Sequence, residues 1–224
     1  MDLDFTEEQD LLRETVRRIC ESSFDSKSVR ALEQDEDKLD RSFWAALGEN
    51  GLCGLRIDEA HGGVSMGTLD MAVMFEEFGH ALASSPFLQS CVQAAAILSL
   101  AGGPVAEELL PKIATGETIL IPAWQESDLF DENGRTEIGQ DGKLSGTKTV
   151  VPFASVADAF LVSTSSGWAL VDGNAAGIEI RAQDNYASQP LFEVRFDRAA
   201  VRTVLPSIGS PLEQRAFVDV LIAD

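Results

Sequence analysis

Residues 110–124 read Leu110-Pro111-Lys112-Ile113-Ala114-Thr115-Gly116-Glu117-Thr118-Ile119-Leu120-Ile121-Pro122-Ala123-Trp124, and within this stretch the chain changes its period. The first part closes a short helix that runs from Val105 to about Thr115 and ends at Gly116, since glycine accepts the left-handed backbone that commonly follows a helix. The second part, Thr118 to Trp124, is β-branched and apolar and too short for a helix, so it reads as a strand. Upstream of this point the patterns are helical; downstream they are those of strands.

Working back from it, Pro86 to Leu100 is apolar nearly all round and is stopped by Gly102-Gly103-Pro104, which predicts a central, buried helix. Gly62-Gly63 marks a turn before a helix in which Leu69, Val73 and Glu76-Glu77 lead to Gly79. Asp40 can cap a helix whose Phe43, Trp44 and Leu47 face inward, and Asn50-Gly51 can end it. The charged stretch Glu33 to Asp40 reads as an exposed helix end and loop. Thr6-Glu7-Glu8-Gln9 fits a capping box ahead of Leu12, Val16 and Ile19 at helical spacing.

Working forward, Lys143 to Gly146, Ala159 to Ser163, Trp168 to Val171, Gly177 to Arg181 and Leu191 to Phe196 are short β-rich runs punctuated by Gly, Asn, Asp and Ser. Helices followed by strands, without alternation, argue against a doubly wound sheet. Pro211 can begin another helix, with Phe217, Val220 and Leu221 on one face, and no residue type that ends helices follows before Asp224. The expectation is an α+β chain. An N-terminal all-helical bundle (1–117) is followed by a small antiparallel β-barrel or sandwich (118–206), then by the start of a truncated C-terminal helical domain (207–224).

Charge and cysteine usage bound the function. The net charge is −20, from 37 acidic and 17 basic residues, so the surface repels nucleic-acid phosphates and anionic lipid headgroups. No stretch is long and apolar enough to span a bilayer; the most apolar, Cys91 to Ala101, is too short. Cys20, Cys53 and Cys91 are scattered and odd in number, which predicts buried thiols and a reducing cytoplasm. The acidic start Met1-Asp2-Leu3-Asp4 is unlike a signal or transit peptide.

Familiar catalytic signatures are missing. There is no phosphate loop of the Walker type, no dinucleotide fingerprint and no Gly-x-Ser-x-Gly elbow. His61 and His80 lie in separate segments without a ligand pattern, so no metal site is expected. Glu76 and Glu77 could form a carboxylate pair, but adjacent helical residues point about 100° apart, and a capping or salt-bridge role fits them better.

Several strings, taken in order, carry a resemblance. Ile57-Asp58-Glu59-Ala60-His61-Gly62-Gly63 looks like the Pro-Glu-x-x-Gly-Gly turn of acyl-CoA dehydrogenases. Phe75-Glu76-Glu77-Phe78-Gly79 resembles their Glu-Glu-Leu-Gly helix. Leu110 to Glu117 is similar to Leu-Pro-x-Leu-Ala-x-Gly-Glu. Lys143-Leu144-Ser145-Gly146-Thr147-Lys148 matches their Leu-x-Gly-x-Lys hairpin, and Ala157-Asp158 with Phe160-Leu161-Val162 the strand after it. No one string is specific; their order and spacing across nearly the whole chain are.

The resemblance implies a flavoprotein that removes the α-proton of an acyl-CoA with a glutamate and passes the β-hydride to N5 of FAD. It also implies an electron-transferring flavoprotein as acceptor and an oligomer of like or unlike subunits. In the family a Thr-Glu-Pro segment and a Trp-Ile-Thr segment flank the flavin ring. Here the first falls on Gln125-Glu126-Ser127 and keeps only Glu126, while Gln125 still offers an amide that donates and accepts. The Gly-rich stretch that usually follows is replaced by Asp128-Leu129-Phe130-Asp131. The second segment falls on Val150-Val151-Pro152. Val150 has no aromatic surface, and Pro152 has neither a hydroxyl nor a backbone N–H. Trp124 is either an aromatic wall for the flavin or a core residue. The candidate cofactor-binding positions are therefore Trp124, Gln125, Glu126, Val150 and Pro152. No catalytic residue is nominated, because the family's glutamate lies on the C-terminal bundle.

Three readings follow. The chain is part of an FAD-dependent acyl-CoA dehydrogenase, or a degenerate partner subunit of a heteromeric one such as those acting on steroid side chains. The alternative is a non-catalytic interaction protein that keeps the fold without flavin. The resemblance further implies that apolar surface is exposed on the Pro86–Leu100 helix and the adjacent β face, where the family's C-terminal bundle packs.

Overall fold

A computed structural model of the protein describes residues 5–126, 135–186 and 189–205. The helices come first: α1 (Glu7–Ser23), α2 (Ser26–Leu32), α3 (Arg41–Glu49), α4 (Thr68–Ala81), a π-helical segment (Leu88–Ala94) that runs into α5 (Ala95–Ala101), and α6 (Gly103–Ala114). The strands follow: β1 (Leu120–Ala123), β2 (Glu137–Ile138), β3 (Lys143–Pro152), β4 (Ala159–Thr164), β5 (Gly167–Asp172), β6 (Ile178–Gln183), β7 (Leu191–Ala200) and β8 (Thr203–Val204).

Local sequence explains the helices. Thr6 Oγ1 accepts the Gln9 N–H at 3.2 Å and Gln9 Oε1 accepts the Thr6 N–H at 3.1 Å, so both halves of the capping box form. Asp40 Oδ1 accepts the N–H groups of Ser42 and Phe43, and Phe43, Trp44 and Leu47 are buried as their spacing predicts. The Gly62-Gly63 turn has a steric cause. A Cβ on Gly63 would lie 1.9 Å from the Ile57 carbonyl oxygen, which leaves glycine as the side chain that fits.

The paired glutamates on α4 serve α1. Glu77 is buried and takes the Arg17 guanidinium in two bonds, of 3.0 and 2.8 Å, while Glu76 takes Arg13 at 2.9 Å. Arg13 also lies 3.7 Å from Glu77, so the two neighbouring carboxylates share one arginine and Glu77 takes a second. The Arg17 hydrogen bond holds the Glu77 carboxyl below the usual glutamate range.

The strands form two four-stranded sheets, in the orders β1-β4-β5-β8 and β2-β3-β7-β6. No ladder joins them among the described residues, so of the two expected forms the sandwich-like one is observed and the closed barrel is not. Every ladder is antiparallel except β1 with β4, which is parallel. β1 is placed by side chains from both directions. The buried Ser90 Oγ accepts the Leu120 N–H at 3.1 Å, and Asp158 Oδ2 accepts the Ile119 N–H at 2.8 Å.

The structure differs from the sequence expectations at four places. The Pro86–Leu100 helix opens with a π-helical segment, a wider winding that often marks functional sites. Most of its apolar side chains, Phe87, Cys91, Val92, Ile97 and Leu98 among them, are buried within this chain rather than exposed; Leu100 is the exposed one. β3 runs on past Gly146 to Pro152 through two register shifts. α2 and the two-residue strands β2 and β8 have no counterpart in the sequence pattern. The helix expected after Pro211 and the Asp128–Asp131 string lie outside the described residues. Among the described residues no helix is long and apolar enough to cross a membrane.

Candidate functional site

β1 and β3 leave their sheets side by side, and their exits carry the five candidate residues. The Thr149 N–H donates to the Gln125 carbonyl at 2.8 Å, which sets the 124–126 segment against β3. Trp124 is half-buried and meets the fully buried Trp168 edge-on, with ring centroids 6.1 Å apart. Its ring is therefore committed to the β core on at least one side.

Glu126 anchors the segment. Its carboxylate accepts the backbone N–H groups of Arg135 (2.6 Å) and Thr136 (3.1 Å) and an ammonium hydrogen of Lys148 at 2.7 Å. Lys148 is 1% exposed, and its Nζ also donates to Ser163 Oγ at 3.0 Å and to the Trp124 carbonyl at 3.3 Å. A buried ammonium is rare unless paired, and here three acceptors surround it. Burial alone would push the Glu126 carboxyl up; its bonds from Lys148, Thr136 and Arg135 outweigh that and hold it below the usual range. Burial pulls the Lys148 ammonium below its ordinary value, and Glu126 offsets part of the drop. Glu126 therefore joins β1, the start of β2 and β3, which is a structural duty. Gln125 is left with a half-buried amide that makes no hydrogen bond among the described residues.

The exit of β3 is built differently. Val150 is exposed and left-handed, with φ +54°, at the second register shift of the strand. Its N–H donates to Gln183 Oε1 at 2.8 Å, from a side chain that reaches across β7. Val151 is buried in the ladder with β7. Pro152 has no N–H, and the next residue, Phe153, is buried and also left-handed (φ +56°), with its N–H on the Pro190 carbonyl at 2.8 Å.

Pro152 and Phe153 form one wall of a cleft of about 530 Å³ between the helices and the β sheets. The opposite wall carries Phe75, Phe78, Leu82 and Phe87, and three of these rings pack edge-on against one another. Non-glycine residues with positive φ concentrate at its rim. Lys38, Leu82 and Phe153 line it, and Val150 lies two residues from Pro152. Such strain persists where the surrounding structure enforces it, commonly at binding sites. Gln89, at the start of the π-helical segment, also lines the cleft, and its Oε1 is buried without a partner.

Of the five sequence candidates, the structure brings Trp124, Gln125 and Glu126 beside β3, and puts Pro152 in the cleft wall. Trp124, Gln125, Glu126 and Val150 do not line that cleft. The aromatic wall from α4 to Phe87 went unnoticed in the sequence; Phe75 and Phe78 at helical spacing, just before the Ser84-Ser85-Pro86 break, were its signal. No cluster of His, Cys, Asp and Glu suited to a metal occurs among the described residues. The cysteines are buried and unbridged, and burial pushes the Cys20 thiol up to about 11 and the Cys91 thiol well above its ordinary value, so neither is a nucleophile at neutral pH.

A flavin ring finds different welcomes on the two exits. The Gln125 amide fits the polar edge of such a ring. Positions 150, 152 and 153 do not, since the first and last have given their N–H groups to protein acceptors and the second has none.

Comparison with known proteins agrees with the architecture. Residues 6–117 match the family model described as acyl-CoA dehydrogenase, N-terminal domain. The acyl-CoA dehydrogenase FadE27 of Mycobacterium tuberculosis is 32% identical over 192 residues, which cover 81% of this chain and 50% of that protein. The crystal structure of the ChsE4–ChsE5 complex from Mycobacterium tuberculosis superposes with a TM-score of 0.82 at 26% identity, covering 99% of this chain and 62% of that one. An acyl-CoA dehydrogenase from Bacillus anthracis complexed with FAD shares the fold, with a TM-score of 0.79 at 20% identity over 96% of this chain and 40% of that one. The chain thus spans half the length of FadE27 or less of the other curated relatives it matches. In sequence, element order and fold, the chain belongs to the acyl-CoA dehydrogenase family.

Proposed function

We propose that the chain serves an acyl-CoA dehydrogenase reaction, the α,β-dehydrogenation of an acyl-CoA thioester with FAD as hydride acceptor, as one subunit of a heteromeric complex. In that reading the chain divides into a helical domain (1–117), a middle β domain (118–206) and the opening of a third (207–224). The observation that carries it is the aromatic cleft. It lies at the junction of the helices and the β3 exit, with Pro152, one of the positions the resemblance sets beside the flavin, in its wall, and three strained residues line it.

The flavin supplies the hydride chemistry when bound. In this chain Gln125 offers the ring a hydrogen-bonding amide, Glu126 and Lys148 fix the segment that carries it, Trp124 backs that segment, and Val150 and Pro152 give apolar contact. The Phe75, Phe78, Phe87 and Phe153 rings exclude water from the acyl chain. The glutamate that removes the α-proton belongs, in this reading, beyond these residues on the C-terminal helices. Partners are the acyl-CoA, an electron-transferring flavoprotein, and a second acyl-CoA dehydrogenase-like subunit; neither nucleic acid nor a membrane is among them. Three buried, unbridged thiols agree with a cytoplasmic setting.

Two observations favour the heteromer over a self-sufficient enzyme. The β3 positions that the resemblance sets beside the flavin are Val150 and Pro152, and ChsE4–ChsE5, a complex of two chains, matches over 99% of this chain. The same two residues favour a second reading, a non-catalytic interaction protein that keeps the fold. The test is acyl-CoA-dependent reduction of an artificial electron acceptor by the full-length gene product, assayed alone and with a co-encoded homologue. Turnover with the homologue supports the heteromer; none in either preparation favours the interaction protein.

A further inference from the structure

We infer that the exit of β3 in this chain, from Val150 to Phe153, offers a flavin ring no backbone hydrogen bond, so that in the assembly proposed above the ring-edge hydrogen bonds of this kind come from the corresponding strand of another subunit. The inference rests on the heteromer reading for its second half only. Its first half is an accounting of donors. From Thr149 to Phe153 the chain has four backbone N–H groups, since Pro152 lacks one. The Thr149 N–H is on the Gln125 carbonyl, the Val150 N–H on Gln183 Oε1, and the Phe153 N–H on the Pro190 carbonyl, each at 2.8 Å. Val151 is buried within the β3–β7 ladder, opposite Phe192. The side chains of Val150, Val151, Pro152 and Phe153 carry no polar atom, so the Thr149 hydroxyl, one residue ahead of them, is the side-chain donor of this stretch.

These acceptors are not equally firm. Two are backbone carbonyls, fixed by the fold. The third is the side chain of Gln183, the last residue of β6, which crosses the intervening strand to reach Val150. That bond does for Val150 what a ligand acceptor would do. It leaves the left-handed residue with a satisfied donor and an apolar, exposed side chain. Gln183 is thus the latch of the closed edge, and the partner that completes the site must be a homologous chain whose own strand keeps an open donor and an aromatic or hydroxyl side chain at these positions.

The experiment is amide hydrogen exchange on the full-length gene product in complex with its co-encoded homologue, with and without FAD, for the wild type and Gln183→Ala. In the wild type the amides of residues 149–153 exchange at the same rate with and without FAD, while the equivalent strand of the homologue becomes protected. Gln183→Ala speeds exchange at Val150 by about fivefold, the effect of removing one ordinary hydrogen bond. Slower exchange at Val150 or Phe153 on adding FAD to the wild-type complex overturns the inference, as does a Gln183→Ala variant with unchanged Val150 exchange. Flavin absorbance recorded on the same samples separates the two readings. A yellow complex with a protected β3 exit sinks this inference and spares the heteromer, whereas a colourless complex sinks the heteromer and, with it, the second half of this inference.

Discussion

The exits of β1 and β3 lie side by side, joined by the bond from Thr149 to Gln125, yet they are held by opposite means. The β1 exit is held by charge. A buried ammonium and a mostly buried carboxylate fix Trp124 and Glu126 and leave the Gln125 amide without a partner among the described residues. The β3 exit is held by backbone conformation. Two left-handed residues, one side-chain latch and one proline close it without leaving a free backbone N–H at Val150, Pro152 or Phe153. The difference teaches that two neighbouring strand exits can be held in place by unlike means, one by a buried ion pair and the other by strained backbone. The charged anchor ties the 124–126 segment to β3 and to the residues before β2, so its removal would damage the fold. At the β3 edge the N–H groups of Val150 and Phe153 are each satisfied by a bond within the chain.

The comparison breaks most visibly at the charged anchor. Lys148→Met leaves the Glu126 carboxylate buried without its cation, and stability falls by about 3 kcal/mol or more, read from denaturant unfolding. Adding Glu126→Gln to it should restore part of that loss, and a double-mutant cycle measures the coupling. A pair that shows no coupling would mean that Lys148 acts through packing alone.

At the β3 exit, effects are smaller and their sign depends on burial. Phe153→Gly relieves a left-handed backbone but removes a buried ring, for a net loss of about 2 kcal/mol. Val150→Gly relieves the same conformation where the side chain is exposed, so the protein becomes more stable by about 1 kcal/mol. Thermal unfolding of the two variants checks this; two losses of equal size would mean that Val150 packs against something.

The smallest effect is a pH slope. The Glu126 carboxyl sits below its ordinary value of 4.5 in the folded protein. Its stabilising contribution is complete above the unfolded value and is lost as the pH falls through the folded one. Wild-type stability should therefore drop below about pH 4.5, and Glu126→Gln, less stable at neutral pH, should show a shallower drop. Glu77, held low by Arg17, adds a second slope that this variant keeps.

Much of the helical half was legible because its signals are local. The Thr6–Gln9 box, the Asp40 cap and the Phe43, Trp44, Leu47 stripe each lie within a few residues of one another. α2 escaped because it is one short helix with no buried residue and so no apolar stripe. β3 was legible only to Gly146, because Val150 and Pro152 break the alternation where the strand shifts register. The positions of the candidate site came from resemblance, and the structure gave them meanings that no local pattern could. Lys148 was visible as a motif residue, but its burial among Glu126, Ser163 and the Trp124 carbonyl is a long-range fact. The cleft escaped entirely, since its walls come from segments more than sixty residues apart, Phe75 to Phe87 on one side and Pro152-Phe153 on the other.

The central claim is that this family member lends its fold and one exit strand to a flavin site that it does not complete alone. The most direct test is an absorbance spectrum of the full-length gene product, purified alone and again with its co-encoded homologue. The account predicts a colourless protein alone and a flavin spectrum with the homologue. One flavin per chain in the protein purified alone would contradict it, and would mean that Gln125 and its neighbours suffice.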